Sequence, residues 1–402
     1  MPLNDFLLNN LPFPLDLLPK GSYLVGGAVR DALLKRERDY LDLDFVTPHS
    51  AIAIAQKIAS LYKAGFVVLD QERNIARVVF EGATIDIAQQ EGESLWTDLS
   101  RRDYTINAIA YDCFEEKLID PLNGAQDLKQ RIMRMVSKDN LRDDPLRLLR
   151  GYRQACQLDF KIEEPTRTTI KELAPFLPQV AEERINHELG YLLSHPRGSF
   201  WLQEAFQDGL LSACFPHLTE AQINLLHKID RAIQWLEDSA TCLSNIENSW
   251  RSLAKLACLT NSVPEIAEQE LINLKYSRQE IKAVITLLKH TSDLQTIDFA
   301  SNLRSQYFFF KSVGQIFPTL AIFALAHNIE EELIVLLVDR YCNDQDQVAH
   351  PQPLLSGNDL MMALQISPSP LIGELLTEIH LAYIEEKISN QEEAIAWIEK
   401  SL

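Results

Sequence analysis

The pattern of apolar and polar positions divides the chain into a mixed first third and a helical remainder. Tyr23, Leu24 and Val25 form a short apolar run suited to a buried strand, and Gly26-Gly27 breaks it. From Ala28 the period becomes helical, with Val29, Ala32 and Leu33 on one face and Arg30 and Asp31 on the other. Residues 41–46 read as a strand, and 49–63 as an amphipathic helix. Three β-rich runs follow at 66–69, 75–81 and 83–88. Mixed elements up to about residue 120 predict one small α/β unit, closed by the turn residues Asp120-Pro121-Leu122-Asn123-Gly124. Beyond it nearly everything reads as helix, including the segment around Trp235 and Leu236 and the apolar run 333–338. The Leu- and Pro-rich residues 1–20 predict a short packing arm.

Candidate chemistry lies on these elements. A strand, two glycines and a helix start make a phosphate cradle: Gly26 and Gly27 let the backbone come close, first-turn N–H groups face an anion, and Arg30 adds charge. On the next strand Asp42 and Asp44 are two apart and share a face, where a hard cation such as Mg²⁺ relieves their repulsion. Either feature alone is compatible with a plain turn or a solvated edge; so close together they point to metal-assisted nucleotide chemistry. Asp86 interrupts an apolar strand, which suits either a solvent-facing position or a third carboxylate. Arg101 and Arg102 precede what reads as an apolar helix and can hold phosphate oxygens, with Asp103 and Asn107 orienting them or meeting a ribose. Further on, Asp144 is a good N-cap and Pro145 suits a first helical position. Arg147, Arg150 and Arg153 then recur every three residues on one drifting face.

Composition narrows the classes. The hydrophobic share of 46% and charged share of 24% are those of a globular protein. No run of about 18 apolar residues and no basic leader is seen, so the expectation is a cytoplasmic protein without a membrane span. The six cysteines are far apart without a CxxC pair, and read as incidental thiols, not a disulfide frame or zinc ligands. A net charge of −19 argues against indiscriminate nucleic-acid binding, yet basic residues concentrate between Leu128 and Lys171. No GxxxxGK[ST] loop, HD dipeptide or HxxxH pair is present, which argues against a P-loop NTPase and an appended metal phosphohydrolase.

Val25-Gly26-Gly27-Ala28-Val29-Arg30-Asp31, followed by Asp42-Leu43-Asp44, resembles the opening of the class II tRNA nucleotidyltransferase and poly(A) polymerase family, within the polymerase-β superfamily. Arg101-Arg102-Asp103, Asp143-Asp144-Pro145-Leu146-Arg147 and Glu182-Glu183-Arg184 are similar to later motifs of that family. The resemblance implies an α+β fold: a small polymerase-β-type nucleotidyltransferase head at 1–122, a helical neck at 123–195 that recognises the base, and a helical body and tail at 196–402 that binds tRNA. It implies template-independent addition of nucleotides to the tRNA 3′ end, with Asp42, Asp44 and Asp86 catalytic, the first two holding Mg²⁺. Gly26, Gly27, Arg30, Arg101, Arg102, Asp103 and Asn107 would hold the nucleotide. Asp144 and Arg147 would act as an amino-acid template for the base of CTP or ATP, with Arg150 and Arg153 supporting them or contacting phosphate. The helix at 181–189 would brace the neck. Only sixteen positions separate Asp86 from Arg102. In full CCA-adding members that link is longer and carries a loop used to switch from C to A, so the short link resembles the CC-adding branch. The rivals are a full CCA-adding enzyme, a poly(A) polymerase, whose basic tail is missing here, and an inactive tRNA-binding protein.

Overall fold

The computed structural model describes residues 11–36, 40–239, 241–243, 245–295 and 299–400. Two units make up the chain, Met1–Leu189 with Glu204–Ala213, and Gly190–Gln203 with Cys214–Leu402.

In the first unit, β1 (Tyr23–Val25) ends at Gly26, whose φ of 74° turns the chain directly into α1 (Gly27–Leu33). β2 (Leu41–Thr47) returns antiparallel to β1. α2 (Ala51–Tyr62), β3 (Gly65–Asp70) and β4 (Ile75–Phe80) then form the crossover that lets β5 (Ala83–Gln89) pair parallel with β2. After α3 (Leu95–Ser100), β6 (Ala110–Asp112) and β7 (Lys117–Ile119) extend the far side, giving the sheet order β3-β4-β5-β2-β1-β6-β7. All its other neighbours are antiparallel. Leu43, Phe45, Ile85 and Ile87 are buried, and α2 packs on β3, β4 and β5 through Ala51, Ala55 and Ile58. Alternation leaves Asp42, Asp44 and Asp86 on the opposite face.

The helical part of this unit contains α4 (Gly124–Gln130), α5 (Lys138–Asp143), α6 (Leu146–Leu158), α7 (Glu164–Leu173) and, up to Leu189, α8 (Glu182–Ser194), with a two-residue parallel pair, β8 (Ile132–Met133) and β9 (Lys161–Ile162). Two expectations change here. The apolar stretch after Arg102 is a 3₁₀ turn, Thr105–Asn107, leading into β6. Ile106, Ala108, Ile109 and Ala110 are all fully buried, and a short run buried all round has no periodicity to separate helix from strand. Likewise α6 begins at Leu146 with Pro145 as its N-cap, while Asp144 ends the preceding helix. The packing arm falls partly on residues 1–10, outside the described residues; Phe13 and Leu18 of its remainder are buried.

The basic concentration between Leu128 and Lys171 proves to be largely a set of internal struts. Arg134 bridges Asp127 and Glu163, Arg167 bridges Glu204 and Asp208, and Arg150 and Arg153 meet Glu188. Among the described residues Lys129, Arg147 and Lys161 have no carboxylate partner. Charge density along the chain therefore overstates the cationic surface, because each strut is matched by an acid from another element.

α9 (Gly198–Gln207) follows, and the described residues of the second unit contain no strand. Its helices are α10 (Glu220–Ser239), α11 (Asn248–Leu259), α12 (Pro264–Asn273), α13 (Arg278–Thr291), α14 (Leu303–Val313), α15 (Phe317–Ala326) and α16 (Glu331–Cys342). α15 is apolar all round because it is enclosed, by α10, α11, α13 and α16. The stretch Leu303–Ala326 is long and apolar enough to cross a membrane by composition, yet a 3₁₀ turn, Gly314–Ile316, divides it and 61% of its most apolar window is buried within the protein. α17 (Gly357–Leu364), α18 (Pro370–Ile384) and α19 (Gln391–Glu399) build a separate core around Leu360, Ile379 and Ile398. One cysteine expectation is corrected: Cys242 and Cys342, separated by 100 positions, are joined as a disulfide, their Cα atoms 6.0 Å apart. Cys113, Cys156, Cys214 and Cys258 are free and buried. Distant partners of this kind have no signature in spacing.

Candidate active site

The parallel pairing of β2 and β5 puts Asp44 directly beside Asp86, with Asp42 beside Thr84. β4 completes the row, with Arg77 opposite Asp86. Arg77 grips Asp86 in a fork, Nε to Oδ1 at 2.7 Å and Nη2 to Oδ2 at 2.8 Å. The Asp86 bond raises the Arg77 guanidinium above its usual pKa. Arg77 was not among the residues expected from sequence; its signal is the same one that exposed Asp86, a charged residue interrupting an apolar strand.

Asp42 is exposed and Asp44 partly buried, and neither side chain has a hydrogen-bond partner among the described residues. No group of three ligating side chains is assembled among the described residues. Two unpaired carboxylates on a rigid strand nevertheless fit Mg²⁺, which is commonly held by one or two carboxylates, with substrate phosphates and waters completing the shell. Burial pushes the Asp44 carboxyl up to about 6, the Asp86 carboxylate adding to the rise, Arg102 opposing it and Asp42 contributing again. Such a group holds its proton more tightly folded than unfolded, where the value is roughly 3.9. Its contribution to stability is complete below the unfolded value and is lost as the pH rises through about 6. A divalent cation competes with that proton. Adding Mg²⁺ at about pH 7.5 is expected to raise the melting temperature, and the gain should fade as the pH drops below about 6. A gain that persists undiminished at about pH 5, or none at about pH 7.5, counts against a cation at this pair.

Gly26 brings the glycine turn onto the carboxylates. A Cβ there would lie 3.3 Å from both Asp44 Oδ2 and Arg102 Nη1, so the turn, the metal candidate and Arg102 converge on one point. Arg102 donates from Nη2 to Asp98 at 3.2 Å, and its buried Nε has no partner. Arg101 is exposed and meets Glu91 at 3.3 Å. Gly27 opens α1, where a Cβ would meet only Arg30 Nη2 at 3.6 Å.

Several other residues expected to touch the nucleotide are instead bonded to one another. Arg30 donates to Asp31 at 2.9 Å and to Asn107 at 2.7 Å. Asn107 donates to Asp103 at 2.9 Å and to Gln154 at 2.8 Å. Arg150 donates to Asp103 at 3.0 Å, and Arg153 to Glu188 at 2.5 Å. Burial alone would raise the Asp103 carboxyl, but Arg150, Asn107 and the Tyr104 N–H together hold it below the usual carboxylate range. This network joins α1, the 3₁₀ turn, α6 and α8. In this arrangement its members act as a frame behind the site, and direct contact with phosphate would require these bonds to break.

A cavity of about 520 Å³, large enough for a nucleotide, is lined by Val46 and Ala88, two residues along their strands from Asp44 and Asp86, while Asp42, Asp44 and Asp86 themselves do not line it. Asp144 and Arg147 line it together with Arg101 and Arg102, as do Arg73 and Arg184, which sequence reasoning did not assign to the nucleotide. So the first half of the chain brings the acidic strand, Arg102 and the Asp144/Arg147 pair around neighbouring space.

Comparison with known proteins identifies the family. The family described as "Poly A polymerase head domain" matches residues 22–134, and "Probable RNA and SrmB- binding site of polymerase A" matches 159–222. "tRNA nucleotidyltransferase domain 2 putative" matches 244–398. A CC-adding tRNA nucleotidyltransferase of Synechocystis sp. is 49% identical over 98% of this chain and 97% of its own length. The chain belongs to the tRNA nucleotidyltransferase family. Another tRNA nucleotidyltransferase, the A-adding one of Deinococcus radiodurans, is 31% identical over 96% of this chain and 97% of its own. The solved structure of a CCA-adding enzyme with ATP has the same fold, at a TM-score of 0.74 and 23% identity, covering 94% of this chain and 91% of that one. The α+β fold expected from the resemblance, a mixed-sheet head followed by helices, is therefore the fold of this tRNA nucleotidyltransferase.

Proposed function

We propose that the chain adds cytidine from CTP to the 3′ end of tRNA without a nucleic-acid template, stopping after two additions. The observation that carries the mechanism is the row of Asp44 beside Asp86, with Asp42 on the same face and Arg102 at the Gly26 turn. Asp42 and Asp44 would hold Mg²⁺, which when bound would neutralise phosphate charge and make the RNA 3′ hydroxyl more acidic. Asp86, aimed by Arg77, helps draw the proton from that hydroxyl. Arg102 receives the triphosphate, Asp144 accepts a hydrogen bond from the exocyclic amine of the base, and Arg147 donates to its ring acceptors. Catalysis is then mainly positioning and electrostatic stabilisation, as in phosphoryl transfer generally. Residues 1–122 serve as the head, 123–195 as the base-reading neck and 196–402 as the tRNA grip, in the cytoplasm.

Two features favour CC addition over full CCA addition: the five residues, 90–94, that alone separate β5 from α3, and the CC-adding name of the relative that is 49% identical. So short a link leaves no room for a mobile element that reshapes the pocket from C to A. Incubating tRNA lacking its 3′ end with Mg²⁺ and labelled CTP, ATP or both tests the reading. Two cytidines and no adenosine are expected. Addition of C, C and A makes the chain a full CCA-adding enzyme, long A tails make it a poly(A) polymerase, and no incorporation in any mixture leaves a binding protein.

A further inference from the structure

Asp144 has a partner that the proposed base-reading scheme does not use. Arg184, in the first turn of α8, donates from Nη2 to Asp144 Oδ2 at 2.9 Å. The other oxygen, Oδ1, accepts only from the Leu146 N–H at 3.3 Å. Arg147 is held differently: its Nη1 donates to the carbonyls of Arg101 at 2.7 Å and Asn140 at 3.1 Å. Arg147 is thus aimed by backbone, whereas Asp144, which is 29% exposed, is aimed by one long peptide hydrogen bond and by Arg184. Both members of this ion pair line the 520 Å³ cavity.

We infer that Arg184 is a specificity-positioning residue, holding the Asp144 carboxylate in the orientation that distinguishes cytosine from uracil. The inference rests on Asp144 reading the base, as proposed above. Cytosine presents an amine donor where uracil presents a carbonyl acceptor. A carboxylate fixed in plane accepts from the first and repels the second. Without its guanidinium partner it can rotate at little cost and accept a water instead, which weakens the preference while leaving Asp42, Asp44 and Asp86 untouched. An exposed ion pair acting only on stability contributes roughly 0–1 kcal/mol and has no reason to affect the choice of base.

The test measures kcat/KM for CTP and for UTP on tRNA lacking its 3′ end, for the parent, Arg184→Ala, Arg184→Lys, Asp144→Ala and the Asp144→Ala/Arg184→Ala double variant. Arg184→Ala is expected to lower the CTP:UTP ratio about tenfold, chiefly through KM for CTP, in keeping with the loss of one charged hydrogen bond. Arg184→Lys should restore part of the ratio, and the double variant should discriminate no worse than Asp144→Ala. An unchanged ratio in Arg184→Ala, or effects that multiply in the double variant, overturns the inference. If Asp144→Ala itself leaves the ratio unchanged, the reading of Asp144 falls and the inference with it; a shifted Asp144→Ala beside an unshifted Arg184→Ala removes Arg184 alone.

Discussion

Asp44→Asn is expected to reduce nucleotide incorporation by about a thousandfold or more, a barrier increase of about 4 kcal/mol, while leaving tRNA binding intact. The substitution keeps the shape of the side chain and removes the charge on which cation binding depends. Gel-shift titration with tRNA and single-addition kinetics with CTP separate the two effects. Stability provides a third readout. Because the Asp44 carboxyl is raised to about 6 by burial and its acidic neighbours, the ionised form that prevails at neutral pH costs the metal-free fold stability. Asp44→Asn should therefore melt no lower than the parent without divalent ions, and should lose the Mg²⁺-dependent gain. Undiminished incorporation would remove the proposed mechanism, and a large drop in metal-free melting temperature would mean the carboxylate serves the fold. Asp42→Ala should behave in the same direction.

The second large effect concerns α6, the helix that carries Arg147. Gly151 of α6 lies against Tyr104, and a Cβ there would sit 2.2 Å from the Tyr104 hydroxyl oxygen and 2.8 Å from Cζ. That hydroxyl is fully buried and donates to the Arg147 carbonyl at 2.7 Å. Burial raises the Tyr104 pKa far above its ordinary value, so the phenol remains a donor. Gly151→Ala forces the ring away and breaks a buried hydrogen bond as well as overpacking the contact. A loss of about 3 kcal/mol is expected from the two together, or roughly 6–12 °C in the melting of a unit this size. Tyr104→Phe in the Gly151→Ala background removes the nearest clash and should recover part of the loss. Wild-type stability in Gly151→Ala would show that α6 has room to shift. Because Arg147 leaves the same turn, activity should fall along with stability, and CTP should be affected more than tRNA binding.

Much of the site was legible in one dimension, for a definite reason. Alternation along a strand is local, so Asp42 and Asp44 sharing a face follows from their spacing, and so does the isolated polarity of Asp86. The glycine turn was legible because only glycine adopts φ near 74° without strain just before a helix. The change from mixed elements to helices was equally local, being a change of period. Long-range partnership was not legible. Arg30, Asp103, Asn107, Arg150 and Arg153 have the residue types of a nucleotide site, yet each is bonded to a partner from a distant segment: Arg30 reaches Asn107, 77 positions away, Arg150 reaches Asp103, 47 away, and Arg153 reaches Glu188, 35 away. The basic concentration was misread for the same reason, since its acids come from elsewhere.

By itself, then, the sequence determined the acidic strand, the glycine turn, the order of the motifs and the helical character of the last two thirds, all properties of neighbours in the chain. Tertiary structure alone decided that β5 lies parallel to β2, setting Asp86 beside Asp44 and Arg77 beside Asp86. It also decided that Arg184 meets Asp144 across 40 positions, and that Cys242 meets Cys342 across 100. The polar pairs form because a buried or half-buried charge or donor must find a partner when water is excluded, and which one it finds depends on how distant elements pack; the cysteine pair depends on the same packing, which brings two distant thiols together.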